Sequence, residues 1–308
     1  MVRVFLTGGS GYLGSTLLSS PPRGWKIVAY GRNPPALPSR PEVRFVPGDL
    51  TAREWNPDAV KGCDVILHLA GLKGRDACAD HPLDAVELNV LATHRLIFAA
   101  LEHGVRRFVF ASSYWVYGAR NDPPYREEMP VAPDELYGFT KAVSEMELEG
   151  SGLDYTILRF ANLFGQGTGR GREEVVFHFI TNALRRTPLF IDGDGLQELD
   201  FLGVRDAARA LALLTDDPRA SRRVFNIGSG SPVSIAELAS RIGSLAREMH
   251  GREAVIEHRP AAASEGTRRF VSMDGFRGTF PEMAFTPLDE ALREYMEVRE
   301  AELHGPGR

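Results

Sequence analysis

Thr7-Gly8-Gly9-Ser10-Gly11-Tyr12-Leu13-Gly14, the run TGGSGYLG, follows the apolar stretch Val2–Leu6 and opens a helical pattern over Gly11–Ser19. A glycine-rich turn between a first strand and a first helix is the setting that cradles a dinucleotide pyrophosphate. Gly8 is expected to permit the tight turn, Gly11 to let the backbone approach the phosphates, and Gly14 to let the helix lie close to the sheet. The helix N-terminus then offers its N–H groups to the anion.

Working outward, short β-branched or aromatic runs recur at Lys26–Tyr30, Val43–Val46, Asp64–Leu69, Arg107–Ala111 and Tyr155–Arg159. Helical patterns lie between them. Leu83–His103 repeats Val86, Val90, Ile97 and Leu101 and stops at Gly104. Near-continuous apolar strands alternating with helices predict an α/β fold with a doubly wound parallel (Rossmann) sheet, its ligands beyond the strands' carboxyl ends. In the second half, helices are expected at Glu173–Arg186, Val204–Thr215 and Ser234–Met249, and strands at Pro188–Ile191 and Arg223–Ile227. Ser234 and Glu237 suit a capping box, and Thr286-Pro287 the start of a last helix. Pro34–Pro41 reads as a surface loop and the HGPGR tail as frayed. The expected division is a dinucleotide-binding domain over 1–162 with returning segments at about 196–228. Residues 163–195 and 229–308 form a smaller substrate-binding lid.

At the second strand's end the chain reads Tyr30-Gly31-Arg32-Asn33. An acid there would bind an adenosine ribose hydroxyl. Its absence, with the guanidinium of Arg32, favours NADP over NAD, although a solvated loop arginine is the alternative.

Tyr137 and Lys141, in YGFTK, stand at helical i, i+4 spacing and project from one face. A phenol with a pKa near 10 becomes a base at neutral pH only with roughly 4 kcal/mol of differential stabilisation. The neighbouring ammonium is expected to supply part of that. Ser112-Ser113 follow the strand Arg107–Ala111 at the ligand-binding end of the sheet. Ser113 is placed to bond the substrate oxygen, with capping of the following turn as its alternative, and Ser112 is expected to cap that turn.

With these motifs assembled, the chain resembles the extended short-chain dehydrogenase/reductase family, whose members mostly epimerise, dehydrate or reduce nucleotide sugars. GDL at Gly48–Leu50, HLAGLKG at His68–Gly74, LNV at Leu88–Val90, SSYWVYG, YGFTK, LRFANLFG at Leu158–Gly165, the stretch Ile191–Ala210 and FNIGSG at Phe225–Gly230 occur in the family's order. The resemblance covers nearly the whole chain and includes UDP-galactose 4-epimerase-like enzymes. It implies that Gly8, Ser10, Gly11, Tyr12, Leu13 and Gly14 hold the cofactor. Asp49 and Leu50 would meet its adenine, and Leu69, Ala70 and Gly71 its phosphates and nicotinamide ribose. Lys73 would contact the cofactor and Asn89 would steady its pocket. Ser113, Tyr137 and Lys141 would be catalytic, Lys141 also orienting the ribose. Ser113, Tyr114 and Asn162 would meet the substrate, Asn162 at its diphosphate.

The sequence departs from the family at three places. The ribose-binding acid is missing. The family's dehydratases carry an Asp-Glu pair after the active-site hydroxyl residue, where Tyr114 and Trp115 stand here. A phosphate-binding arginine before Asp-Phe is replaced by Leu199, leaving Arg268 or Arg269 as substitutes. The implied reaction is hydride transfer at C4 of a hexose by an NAD(P)-dependent epimerase. An NADPH-dependent 4-keto-sugar reductase and a non-catalytic dinucleotide-binding regulator are the alternatives. The family also implies a homodimer through the helices Leu83–His103 and Tyr137–Gly150. Leu91, Leu96, Phe98, Val143 and Met146 would serve that contact if they are not core.

Bulk properties set the outer limits. The 308 residues, 43% hydrophobic and 25% charged, suffice for a large core. A net charge of −5 argues against a nucleic-acid or membrane surface built on broad basic charge. Cys63 and Cys78 lack metal-ligand spacing and fit free thiols in a reducing cytoplasm. No metal site, signal peptide or membrane span is expected.

Overall fold

The computed structural model describes residues 1–35, 40–166, 175–251, 253–260 and 267–304. Six early strands, β1 (Val2–Thr7), β2 (Trp25–Gly31), β3 (Val43–Pro47), β4 (Val65–His68), β5 (Arg107–Ser113) and β6 (Asp154–Phe160), join strand Arg223–Ile227 in one sheet. Counted from that returning strand the order is β6, β5, β4, β1, β2, β3, and every pairing is parallel. The order reverses between β1 and β4, so a crevice opens past their carboxyl ends. All four residues of β4 are buried. Burial on both faces explains why these strands lack polar alternation.

Helix α1 (Tyr12–Ser19) connects β1 to β2 and packs against helix Val204–Asp216. Between β4 and β5 lie α2 (Arg75–Asp80), α3 (Pro82–Val86), a single π turn at Glu87–Leu91, and α4 (Ala92–Glu102). The stripe expected on this helix is only partly right. Ile97 is buried, but Val86 and Leu101 are 39% and 47% exposed. The face toward the core instead carries Ala85, Asn89, Ala92, Leu96 and Ala100, mostly small side chains that admit a close approach. Leu96 is therefore core, whereas Leu91 and Phe98 face outward. On the neighbouring α5 (Leu136–Gly150), Val143 and Met146 are likewise exposed.

A second apolar cluster unites helices Val175–Arg185, Ile235–His250 and Leu288–His304 through Phe179, Ile180, Leu238, Ile242, Leu292 and Met296. Arg186, at φ 60°, takes the left-handed conformation that stops the first of these. The expected positions Glu173 and Glu174 lie outside the described residues, as do much of the Pro34–Pro41 loop and the last four of the tail. Ser234 caps the next helix by accepting from Glu237 N at 3.0 Å. The reciprocal half of the box is replaced, because the Glu237 carboxylate binds Arg241 at 2.7 Å. No described helix is long and apolar enough to cross a membrane.

Candidate active site

The crevice is floored by the glycine turn. Gly8 has φ +74°, and a Cβ there would lie 2.6 Å from Ala70 N; one on Gly14 would lie 2.2 Å from Gly8 O. Strand, turn and helix thus touch backbone to backbone, which only glycine permits. Gly11 starts α1 without a side-chain cap, an arrangement suited to an anion at the helix N-terminus. Gly8, Ser10, Gly11, Arg32, Asp49, Leu50, Leu69, Ala70 and Gly71 line a cleft of about 230 Å³. Phe45 lines it too from outside every quoted motif, as do Tyr30 and Leu88, which lie within quoted stretches but carried no assigned part. The open backbone N–H groups of the glycine turn suit a dinucleotide's pyrophosphate in donor chemistry. Tyr12 and Leu13 serve α1 differently: the Tyr12 hydroxyl donates to Gly165 O at 2.7 Å, and Leu13 joins the core.

At the adenine end expected from the resemblance, Asp49 Oδ1 accepts from Thr51 N and Thr51 Oγ1 at 2.9 and 2.7 Å. Burial opposes its charge, but these bonds and the guanidinium groups of Arg32 and Arg95 hold its carboxyl below the usual range. Arg32 is exposed at the rim of the cleft.

A buried polar chain supports the crevice floor. Ala70 N donates to Thr7 Oγ1 at 3.2 Å, and Thr7 Oγ1 meets His68 Nδ1 at 2.6 Å. On the other side His68 Nε2 meets Thr93 Oγ1 at 2.9 Å, and that hydroxyl donates to Asn89 O at 2.6 Å. Thr93 has spent its proton, so His68 Nε2 carries the hydrogen and Nδ1 accepts from Thr7. Burial, then the Lys141 charge, lower the His68 pKa to about 3, in keeping with a neutral ring. Asn89 also clamps Leu72, receiving from its N at 2.7 Å and donating to its O at 3.0 Å. Sequence marked His68 only as part of a motif; its two hydroxyl partners are distant in the chain. Lys73, just beyond the clamp, is exposed and outside the cleft lining.

Ser113 ends β5, and Tyr137 sits in the first turn of α5. The Ser113 hydroxyl is the neighbour that favours the Tyr137 phenolate, and both side chains are buried. Glu135 caps α5 with both oxygens, accepting from Tyr137 N at 2.9 Å and Gly138 N at 2.6 Å. Burial raises the Tyr137 pKa, the Ser113 bond opposes it, and Cys78, Glu135 and Tyr114 push it further up. The expectation of a lowered phenol pKa is thus not met in the protein alone. Lys141 points elsewhere, donating from Nζ to Ala111 O at 2.8 Å and lying 4.7 Å from the Phe110 ring centroid. Burial lowers Lys141 to about 8, with Cys78 and Glu145 opposing. A Cβ on Gly71 would lie 3.4 Å from Lys141 Nζ, which puts the ammonium at the inner end of the cleft.

Ser112 and Ser113 exchange the capping part expected of them. Ser113 Oγ accepts from Trp115 N at 3.4 Å and caps the short turn Tyr114–Tyr117, while Ser112 donates to the buried Glu145 carboxylate. Alternation along β5 sends the two serines to opposite faces. Glu145 is itself paired with Arg159 at 2.7 Å. Tyr114 OH donates to Asn162 Oδ1 at 3.2 Å, and Asn162 Nδ2 donates to Asp200 O at 3.0 Å. Arg268 is exposed and bound to Glu198 at 2.5 Å, whereas Arg269 stacks over the Trp115 ring at 4.2 Å. Cys63 and Cys78 are buried free thiols. The described residues contain no group of three or more His, Cys, Asp or Glu that could hold a metal ion.

A reversing parallel sheet, a glycine cradle and a buried Ser–Tyr pair with lysine define a short-chain dehydrogenase/reductase of the extended type. The chain belongs to the NAD dependent epimerase/dehydratase family, whose model matches residues 4–228. It is similar to MoeE5, solved in complex with UDP-glucose and NAD, at 31% identity and a TM-score of 0.85, covering 98% of this chain and 99% of that one. MoeE5 is also solved with UDP-glucuronic acid and NAD, at 32% identity, a TM-score of 0.84 and coverage of 97% and 99%. A dTDP-glucose 4,6-dehydratase of Streptomyces niveus is 29% identical over 260 residues, 78% of this chain and 76% of its own. The uncharacterized UDP-glucose epimerase YtcB of Bacillus subtilis (strain 168) is 28% identical over 284 residues, 86% and 87% of the two chains.

Proposed function

We propose that this protein is an NAD(P)-dependent epimerase of nucleotide-activated hexoses that acts at C4 through a 4-keto sugar. The observation that carries this reading is the buried Ser113–Tyr137 hydroxyl pair, followed in sequence by Tyr114 and Trp115 rather than by carboxylates. A bound nicotinamide would take a hydride from C4 and return it to the opposite face of the rotated keto sugar. Once it has released its own proton to solvent under the positive charge of Lys141 and a bound nicotinamide ring, Tyr137 as phenolate takes the proton of the C4 hydroxyl and gives it back to the same oxygen. Ser113 bonds that oxygen and fixes its approach. Lys141, at the inner end of the cleft, binds the nicotinamide ribose and adds positive charge where the phenolate forms. Gly8, Ser10 and Gly11 hold the pyrophosphate, Gly14 lets the helix lie close behind them, and Asp49 and Leu50 flank the adenine.

Removal of water needs an acid–base pair beside the sugar's C5 and C6. Tyr114 and Trp115 cannot supply one, and both oxygens of nearby Glu135 are bound to backbone N–H groups. A dehydratase is disfavoured on that ground. The complexes of MoeE5 with two UDP-sugars favour a UDP-hexose as the substrate class. Arg32 at the cleft rim supports a second reading, a 4-keto-sugar reductase with exchangeable NADPH. A non-catalytic regulator is disfavoured by the intact Ser113, Tyr137 and Lys141.

The smaller body, residues 163–195 and 229–308, closes over the sugar. The enzyme works as a cytoplasmic homodimer joined through α4, the turn before it and α5, whose outer faces expose Leu91, Phe98, Val143 and Met146. Apolar side chains gathered on one monomer face are usual for such contacts.

The test is to incubate the purified protein with UDP-glucose or UDP-glucuronic acid in deuterated water and separate the products. Epimerisation predicts the C4 epimer with ordinary hydrogen still at C4 and no net use of added cofactor. A product that forms only as NADPH is consumed would replace the epimerase by the reductase.

A further inference from the structure

Arg269 is held against the reacting end of the site by a stack on Trp115, with its ring centroid 4.2 Å from the guanidinium carbon. Trp115 lies two residues past Ser113 and packs against the small buried cluster of Cys78, Ala85 and Tyr137. The Arg269 side chain is 19% exposed. Its ionic neighbour is Asp134, at 3.8 Å, and Asp134 Oδ2 already accepts from Ala119 N at 3.0 Å. Glu135 feels the Arg269 charge, yet both its oxygens are bound to the N-terminus of α5. Among the described residues the Arg269 side chain makes no hydrogen bond. Five N–H donors are thus held in a fixed plane on an aromatic face, available to an oxyanion.

We propose that Arg269 is a specificity-determining residue that binds a carboxylate on C5 of the sugar, so that the preferred substrate is a nucleotide hexuronate rather than a neutral hexose. This rests on the C4-epimerase reading above. With the C4 oxygen at Tyr137, the C5 substituent is the neighbouring group on the ring. It is directed toward the residues that follow Ser113, where Trp115 offers an apolar platform and Arg269 a forked cation. The diphosphate is the competing anion, because Arg269 stands in parallel register with Leu199, the position at which the family's phosphate-binding arginine is missing. Stacking on Trp115 favours the sugar end. The paired Arg268, facing Glu198, is already engaged.

The experiment measures kcat/KM of the cofactor-loaded enzyme with UDP-glucuronic acid and UDP-glucose, which share one diphosphate and differ only at C6. The wild type is expected to favour the uronate. Arg269→Gln should lower kcat/KM for the uronate by about 10–100-fold, the worth of a charge-assisted bond, and leave UDP-glucose within about threefold. Arg269→Lys should recover part of the uronate activity. Equal losses on both substrates would overturn the proposal and assign Arg269 to the diphosphate. A wild type that prefers UDP-glucose, or an Arg269→Gln enzyme with unchanged preference, would overturn it as well. Turnover of neither sugar by the wild type would instead defeat the epimerase reading, a distinct result.

Discussion

The Tyr137 phenol and the Ser113 hydroxyl are neighbours across the gap between the first turn of α5 and the end of β5, each buried and each on a different element. Burial raises the phenol's pKa above its ordinary 10, so before ligands bind the proton stays on Tyr137. Tyr137→Phe should cut turnover by about 10²–10⁴ while leaving cofactor affinity nearly unchanged. Ser113→Ala should have the smaller effect, since it removes a positioning bond and not the proton carrier. Steady-state rates with parallel cofactor titrations check both. Turnover that survives the loss of the Tyr137 hydroxyl would make it a bystander.

Lys141 titrates near 8, against an ordinary 10.5, because its ammonium is buried. Below pH 8 the folded chain bears the cost of that charge. Between pH 8 and 10.5 the unfolded chain holds a proton that the folded one has released, so stability from this group rises with pH. In cofactor-free protein, the wild type should gain on Lys141→Met by roughly 3 kcal/mol between pH 7 and 10.5. Urea unfolding of both proteins across that range would show it. A difference that stays constant with pH would contradict the buried-ammonium account.

Arg32 shares the cleft rim with Asp49, whose carboxyl it helps to keep ionised. Arg32→Ala should weaken NADP by about tenfold and NAD by much less, since only the former carries a 2′-phosphate. Dissociation constants for both cofactors decide the matter. Equal changes would return Arg32 to the status of a surface charge.

Phe98 and Met146 are 58% and 68% exposed on adjoining helices. If these helices join two copies, Phe98→Asp with Met146→Asp should yield monomers in sedimentation experiments without unfolding the chain. A wild type that already sediments as a monomer would remove the proposed interface.

The sheet was largely legible because a buried parallel strand announces itself as a short apolar run, as at Val65–His68 and Arg223–Ile227. The glycine turn was equally readable, since backbone contact at Gly8 and Gly14 leaves no other residue possible. Helix burial was harder to read. Apolar content alone suggested that Val86 and Leu101 face inward, but the sheet side is lined by small residues that hydropathy underrates. The direction of the Tyr137 pKa was also hidden. It depends on burial and on Lys141 turning to Ala111 O, neither of which follows from i, i+4 spacing. Distant partners such as Thr7 and Thr93 on His68 leave no local pattern at all.

The His68 chain gives the cleft floor a direction as well as a shape. Each proton in the sequence from Ala70 N through Thr7, His68 and Thr93 to Asn89 O has a single place to go. A ligand resting on the Ala70 and Gly71 backbone therefore meets a surface tied through the protein to the helix behind it. Removing the Thr7 hydroxyl from that series would strand Ala70 N and His68 Nδ1 at once, loosening the seat from beneath.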